Sequence, residues 1–321
     1  MDRITVIIGP AEDGLTVEQL LRRRLALSGA RIRSLKFAAD GISVNGEKAR
    51  TSRLLSCGDR VEVLRGDPAA RAEKLKPAED GGAAALRVVY EDACLIAVDK
   101  PAGLVMHPAG GHRTDTLANQ LRAYLDANDP AARVHFAGRL DKDTSGLVLS
   151  AKNADAAQKL QKKKACGGFE KSYLALAAGD FLPGEEGTIP LPLAPVRDPA
   201  SRLVRMQADP AGRAALTRYT VLQTFPGFAL LRLTLGSGRT HQIRAHLAAL
   251  GHPLLGDPLY GDEAVNRRFE HALRRTALHA AGLRFFHPED GRLITLSAPL
   301  PADMAALCGE AAAPQEKARE R

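Results

Sequence analysis

The chain has 321 residues, enough for one large domain or two smaller ones, and 45% of them are hydrophobic. It has no Trp and only 4% aromatic residues, so its core is built mainly from Leu, Val, Ile and Ala. Lys and Arg outnumber Asp and Glu by 45 to 37, a net charge of +8, which suits a polyanionic partner such as nucleic acid as well as a merely basic surface.

The opening MDRITVIIGPAEDG has too short an apolar stretch for a signal peptide. No later run approaches membrane-spanning length, so the cytoplasm is the default compartment and no membrane partner is expected. Residues 14–65 read as a compact basic unit. Thr16 and Gln19 form a capping-box pattern. Val17, Leu20, Leu21 and Leu25 follow at helical spacing, with Arg22, Arg23 and Arg24 among them. Asn45-Gly46 between extended residues is a hairpin signal, and a Gly-Asp turn then precedes the alternating strand RVEVL. The stretch LLRRRLALSGARIRSLKFAADGISVNGEKAR resembles the small RNA-binding domain first described in a ribosomal small-subunit protein, an S-four-like fold. That resemblance makes Arg22, Arg23, Arg31, Arg33, Lys36 and Lys48 candidate RNA contacts; a solvated basic helix is the plainer reading.

Residues 66–86 are small, polar and rich in Pro and Gly, and read as a linker. One long region follows, 87–306. Its strand-like runs include RVVYEDACLIAVD, GLVLSAK, SYLALAAG, FALLRLTL and ALHAAGLRFF. TLANQLRAYLDA carries Leu117, Leu121 and Leu125 on one helical face, NADAAQKLQKKK starts at an Asn153 cap, and RTHQIRAHLAAL ends at Gly251. Strands outnumber helices without strict alternation. The expected class is therefore α+β, with a mixed, largely antiparallel sheet flanked by helices. The tail, 307–321, is charged, lacks apolar periodicity and reads as disordered.

The chemistry concentrates in HFAGRLDKDTSGLVLSAKN, residues 135–153. Asp141, Asp143, Thr144 and Ser145 crowd a turn before an apolar strand, a placement that can present one carboxylate to a cleft. Taken alone, such a turn equally well only satisfies backbone donors. Too few further ligands lie nearby for a metal. Four cysteines, Cys57, Cys94, Cys166 and Cys308, form no Cys-x-x-Cys pair and no zinc spacing, and argue against a disulfide framework.

GRLDKDTSGLVLSAKN resembles the signature of the RluA-type pseudouridine synthases, which modify ribosomal and transfer RNA. VVYEDACLIAVDKPAGLVMHPA, KSYLAL, GRTHQIRAHLAALGHPLLGDPLYG and ALHAAGLRFFHP with APLP are similar to further segments of that family, in its order, across nearly all of 88–302. Two departures stand out: Gly138 where His or Asn is common, and Arg213 where Lys is common. Both bear on substrate choice rather than reaction type.

The resemblance implies a fold, a reaction and roles. The reaction breaks the bond between ribose and uracil nitrogen, turns the base and rejoins it through carbon 5, so no cofactor and no metal is implied. Asp141 would be the catalytic carboxylate, as nucleophile or as base. Arg244 would pair with it and orient it. Tyr173 would stack on the uracil, and Leu278 would pack beneath it. Arg139 would fill the space left by the extruded base. Arg239 and His241 would contact phosphate or fix the turn. Lys162, Lys163 and Lys164 could extend a phosphate track or form a solvated helix face. The implied partner is structured RNA, ribosomal RNA ahead of transfer RNA, met by a monomer.

Two other classes compete. A non-catalytic RNA-binding or ribosome-assembly protein would show decay at Asp141, Tyr173 and Arg244, and all three are present. A glycoside hydrolase needs a second carboxylate at a set distance, and no second acidic motif stands out.

Overall fold

The structure, a computed structural model, describes residues 3–25, 27, 29, 32, 35–36, 41–64, 86–108, 111–197 and 204–312. The chain divides into two compact units, 1–76 and 77–321.

In the first unit, strands β1 (Arg3–Ile7), β2 (Ile42–Val44), β3 (Glu47–Lys48) and β4 (Arg60–Leu64) form one antiparallel sheet in the order β1-β4-β2-β3. Helix α1 (Val17–Arg23) starts at Thr16, whose hydroxyl accepts from the Gln19 amide while the Gln19 side chain returns a bond to the Thr16 amide. Its Val17, Leu20 and Leu21 are fully buried with Val6, Ile8, Val44 and Val61. Asn45 and Gly46 both take positive φ, 55° and 85°, as a two-residue hairpin turn requires. The expected start at residue 14 is too late. Residues 3–7 pair along β4, and Val6 and Ile8 contribute to the core, so the short apolar opening is a structural strand.

The second unit is built on a ten-stranded sheet. Its strands are β5 (Arg87–Glu91), β6 (Leu95–Lys100), β7 (His135–Phe136), β8 (Ser145–Ala151), β9 (Phe169–Ala178), β10 (Glu186–Ile189), β13 (Thr217–Phe225), β14 (Phe228–Leu235), β15 (Leu278–Phe286) and β16 (Leu293–Ser297), with β11 (Leu193–Arg197) and β12 (Val204–Ala208) pairing as a separate ribbon. The main order is β10-β13-β14-β9-β15-β8-β6-β5, with β16 on β15 and β7 on β8. Only the β15–β8 pairing is parallel, so the sheet is mixed and largely antiparallel.

Burial follows the period of two expected of strands. In β8 every residue is buried: Val148 packs into one core, while Leu147, Leu149 and Ala151 pack into another. Helix α2 (Leu117–Asn128) covers the first with Leu117, Leu121 and Leu125. Helix α3 (Ala154–Ala165), capped by Asn153 onto the Ala156 amide, covers the second with Ala156 and Leu160. Helices α4 (Gln242–Ala249), α5 (Glu263–Phe269) and α6 (Ala302–Ala312) complete the unit.

The expected disordered tail begins too early. Residues 307–312 continue α6, because Met304 and Leu307 bury beside Phe225 and Phe228 and Arg275 grips Asp303 at 2.6 and 2.8 Å. Residues 313–321 and most of the expected linker, 66–85, lie outside the described residues; Leu86 already packs on the core. Among the described residues no helix is long and apolar enough to cross a membrane.

Candidate active site

Asp141 sits in the loop between β7 and β8. Leu140, 7% exposed, anchors that loop in the core, and the Asp141 carbonyl accepts from the Thr144 amide at 3.2 Å. The loop is held from below by Lys100 at the end of β6. Its ammonium is fully buried and donates to the carbonyls of Pro101 (2.8 Å), Leu104 (2.9 Å) and Lys142 (2.9 Å). Burial pushes the Lys100 ammonium down to about 8, against the raising effect of the Asp143 and Asp141 charges.

Where β8 meets β15, Gly146 has φ +109°, and a Cβ there would lie 2.3 Å from the Ala280 carbonyl oxygen. Only glycine lets the two strands close beside the loop.

Helix α4 supplies Arg244. The turn before it is fastened by Gln242, whose side-chain oxygen accepts from the Ser237 hydroxyl (2.8 Å) and the Arg239 amide (3.0 Å), and whose amide nitrogen donates to the Leu216 carbonyl (2.9 Å). His241, at the N-cap, is left-handed with φ 51°, uncommon for a residue with a Cβ. Its ring lies 3.2 Å from the Tyr260 hydroxyl and 3.8 Å from Asp141, and burial lowers its proton affinity.

Arg244 donates to Asp141 at 3.2 Å and to both oxygens of Asp257, at 2.6 and 2.8 Å. Asp257 is fully buried and also accepts the amides of Leu259 (2.9 Å) and Tyr260 (3.0 Å). Burial works against the charge on Arg244. The hydrogen bonds and charge of Asp257, then those of Asp141, outweigh it and hold the guanidinium protonated above the usual arginine range. The Asp141 side chain remains 25% exposed, so the carboxylate is oriented from inside and open from outside.

Tyr173 on β9 is 6% exposed, and its phenol is pushed up by burial and by the charge of Asp141, so it stays neutral at physiological pH. Leu278 opens β15 beside it. One cleft is lined by Arg139, Leu140, Asp141, Thr144, Tyr173, Arg239, His241, Arg244 and Leu278 with three neighbours. Asp141, Tyr173, Arg244, Arg139, Leu278, Arg239 and His241 therefore face one space, whereas Lys162, Lys163 and Lys164 lie apart from it in the last turn of α3. Arg139 is exposed and its guanidinium meets the Thr240 hydroxyl; Arg239 donates to the Ala214 carbonyl at 3.2 Å. In the first unit, Arg22 and Arg23 are exposed at the end of α1, with Arg22 paired to Glu18, and Lys36 is also exposed. Arg31 lies outside the described residues.

Sequence reasoning missed Asp257, Lys100 and Gln242. Lys100 left a trace, as the charged end of the apolar strand LIAVDK; so did Asp257, an acid between Gly and Pro in an otherwise apolar loop.

Away from the cleft, Asp92, Cys94 and His287 bring metal-type ligand atoms within 4.8 Å of one another. They already bond among themselves. Asp92 also takes the Cys94 and Leu95 amides and the Tyr90 hydroxyl, and Asp290 takes the other His287 nitrogen at 3.0 Å. Burial pushes the Cys94 thiol up to about 12. The cluster locks two turns together.

Lys100→Met is expected to lower kcat by on the order of 10- to 100-fold, the scale set by a catalytic group displaced by an ångström. In the wild type, raising the pH through about 8 removes a proton from Lys100 and with it one of three bonds to the loop. The rate at saturating substrate should therefore fall on an alkaline limb near pH 8. Lys100→Arg should move that limb upward; a limb that stays in place would show that another group causes it.

Residues 94–249 match the family model described as RNA pseudouridylate synthase. The chain is 37% identical over 273 residues to ribosomal large subunit pseudouridine synthase D of Nitrosomonas europaea, covering 83% of this chain and 75% of that one. It is 34% identical over 311 residues to the RNA pseudouridine synthase YhcT of Bacillus subtilis, covering 95% of this chain and 96% of that one. Among solved structures, human RNA pseudouridylate synthase domain containing 1 superposes with a TM-score of 0.54 at 29% identity, over 69% of this chain and 86% of that one.

Proposed function

The chain belongs to the RNA pseudouridylate synthase family and is an isomerase of RNA uridines, and we propose that it acts on large-subunit ribosomal RNA with Asp141 as its catalytic carboxylate. The observation that carries the site is the chain of ion pairs Asp141–Arg244–Asp257 opening into a cleft walled by Tyr173 and Leu278. An acid gripped by a buried guanidinium keeps one orientation, which nucleophilic attack at the sugar or proton abstraction from it both require.

The target uridine leaves its stack to enter the cleft, at a cost of a few kcal/mol that is least in loops and bulges. Tyr173 and Leu278 give the uracil an apolar wall and a ring face, so the base can be retained after its bond to ribose breaks. The base turns, carbon 5 joins the sugar, the hydrogen on carbon 5 leaves as a proton, and the ring nitrogen freed from the sugar takes a proton up, so the product is an isomer. The neutral Tyr173 phenol is suited to hold or pass a proton, not to act as a phenolate base. Arg139 at the rim suits the space vacated by the base, since a guanidinium both stacks and donates. Arg239 and His241 border the same rim and suit phosphate.

The first unit, with Arg22, Arg23, Arg31 and Lys36, would add an S-four-like grip on RNA. The exposed Arg22–Glu18 pair is worth little, so phosphate can replace the glutamate. The Nitrosomonas relative is named for the ribosomal large subunit, which favours ribosomal RNA as the substrate here.

Release of tritium from carbon-5-labelled uridine tests the substrate. Large-subunit ribosomal RNA transcripts should release it. Release from transfer RNA transcripts alone would replace the proposed substrate. Tyr173→Phe keeps the ring and loses the hydroxyl, and is expected to slow single-turnover release by roughly 10- to 100-fold. Tyr173→Ala, which also loses the wall, should do worse; a Tyr173→Phe rate equal to wild type would remove the hydroxyl from the reaction, and equal rates in the two variants would remove the wall.

A further inference from the structure

Gly138, which stands where the family commonly carries His or Asn, lies under two ammonium groups. A Cβ built there would stand 3.2 Å from Lys171 Nζ and 3.7 Å from Lys164 Nζ. Lys164 comes from the last turn of α3 and donates to the Ala137 carbonyl at 3.1 Å. Lys171 comes from β9, two residues before Tyr173, so its side chain leaves the same strand face about 7 Å along the strand. The Phe169 ring flanks both, 5.5 Å from Lys164 Nζ and 6.0 Å from Lys171 Nζ.

Neither lysine has an acidic partner among the described residues, and Lys171 makes no hydrogen bond there. Two cations have been brought together without a counter-charge, an arrangement that is unfavourable unless an anion completes it. Burial, and then the Lys164 charge, push Lys171 down to about 8, a shift that a phosphate beside the two ammonium groups would oppose. Gly138 is partly exposed and Arg139, next in the chain, lines the catalytic cleft, so the site is reached from the surface that RNA must approach.

We propose that Lys164 and Lys171, converging over Gly138, bind a backbone phosphate of an RNA nucleotide adjacent to the uridine held in the Asp141 cleft. The proposal rests on the reading of that cleft as the uridine site. The phosphate takes charge-assisted hydrogen bonds from both ammonium groups, and glycine at 138 keeps the approach open. This gives the Gly138 departure a chemical role: a side chain there would compete with the ammonium groups for the space in which the phosphate sits.

The test measures affinity against salt for Lys164→Met, Lys171→Met and the double variant. The RNA is whichever transcript the wild type modifies, large-subunit ribosomal RNA first and transfer RNA second. The double variant should bind about tenfold more weakly at moderate salt. The slope of log affinity on log salt should become shallower by about one, the signature of one lost phosphate contact. The loss should fall on KM more than on kcat. Lys171→Arg should keep the wild-type slope. Lys159→Met, whose ammonium is already taken by Asp155 and Glu289, should leave the slope unchanged. Gly138→Asn should reproduce the weaker binding. An unchanged slope with affinity within twofold overturns the proposal, as does a fall in kcat at unchanged affinity, which would make the lysines props for the loop. Asp141→Asn, run in parallel, separates the two ideas: continued tritium release from it would defeat the cleft reading whatever the lysine slopes show.

Discussion

Asp141→Asn is expected to lower tritium release by more than about 1,000-fold while leaving RNA binding within a few-fold of wild type. The substitution preserves shape and removes only the charge and nucleophilic strength of the side chain. The fold around it should survive, because Arg244 keeps both bonds to Asp257 and Leu140 still anchors the loop. The loss would therefore belong to the chemical step. Single-turnover release at saturating RNA, with filter binding on the same samples, makes the comparison. A variant retaining a tenth of the wild-type rate would remove Asp141 from the centre of the reaction.

Asp257→Ala should have the largest effect on stability, roughly 3–5 kcal/mol, the range for breaking a buried ion pair from one side. The substitution strands a guanidinium that is 9% exposed and leaves the Leu259 and Tyr260 amides without their acceptor. Activity should collapse even where the variant is folded, since Arg244 would be free to turn away from Asp141. Asp257→Asn should fall between, because it keeps an acceptor for the amides but not the charge. Urea unfolding followed by circular dichroism gives the stability change. A loss below about 1 kcal/mol in the alanine variant would mean that Arg244 is held by something else.

Much of the scaffold could be read from the chain because its signals are local. The Thr16–Gln19 box, the Asn153 cap, the Asn45-Gly46 turn and the Leu117–Leu121–Leu125 face each depend on neighbours a few residues away. What escaped depends on distant partners. Strands β10 to β13 carry Arg, Thr, Gln and Glu on half-exposed faces, so their alternation is faint. The second half of helix α6, from residue 307, reads as tail because Leu307 makes sense only against Phe225 and Phe228. At the site, Asp141 stood out through the family pattern around it. Asp257 did not, because nothing in GDPLYG states that an arginine thirteen residues earlier will turn back to meet it. Lys100 escaped for the same reason. Its three carbonyl partners are spread over Pro101, Leu104 and Lys142, and only the folded loop collects them.

Strand β15 is one of the last elements in the chain, yet it lies between β8 and β9 near the middle of the sheet. During translation the carboxylate loop leaves the ribosome more than a hundred residues before its guanidinium, and the strand that joins the two halves of the sheet follows later still. A nascent or prematurely terminated polypeptide ending before residue 278 would hold two half-sheets with unpaired edges and no assembled catalyst. The sheet that carries both halves of the cleft therefore closes only once the strand ending at residue 286 has been made.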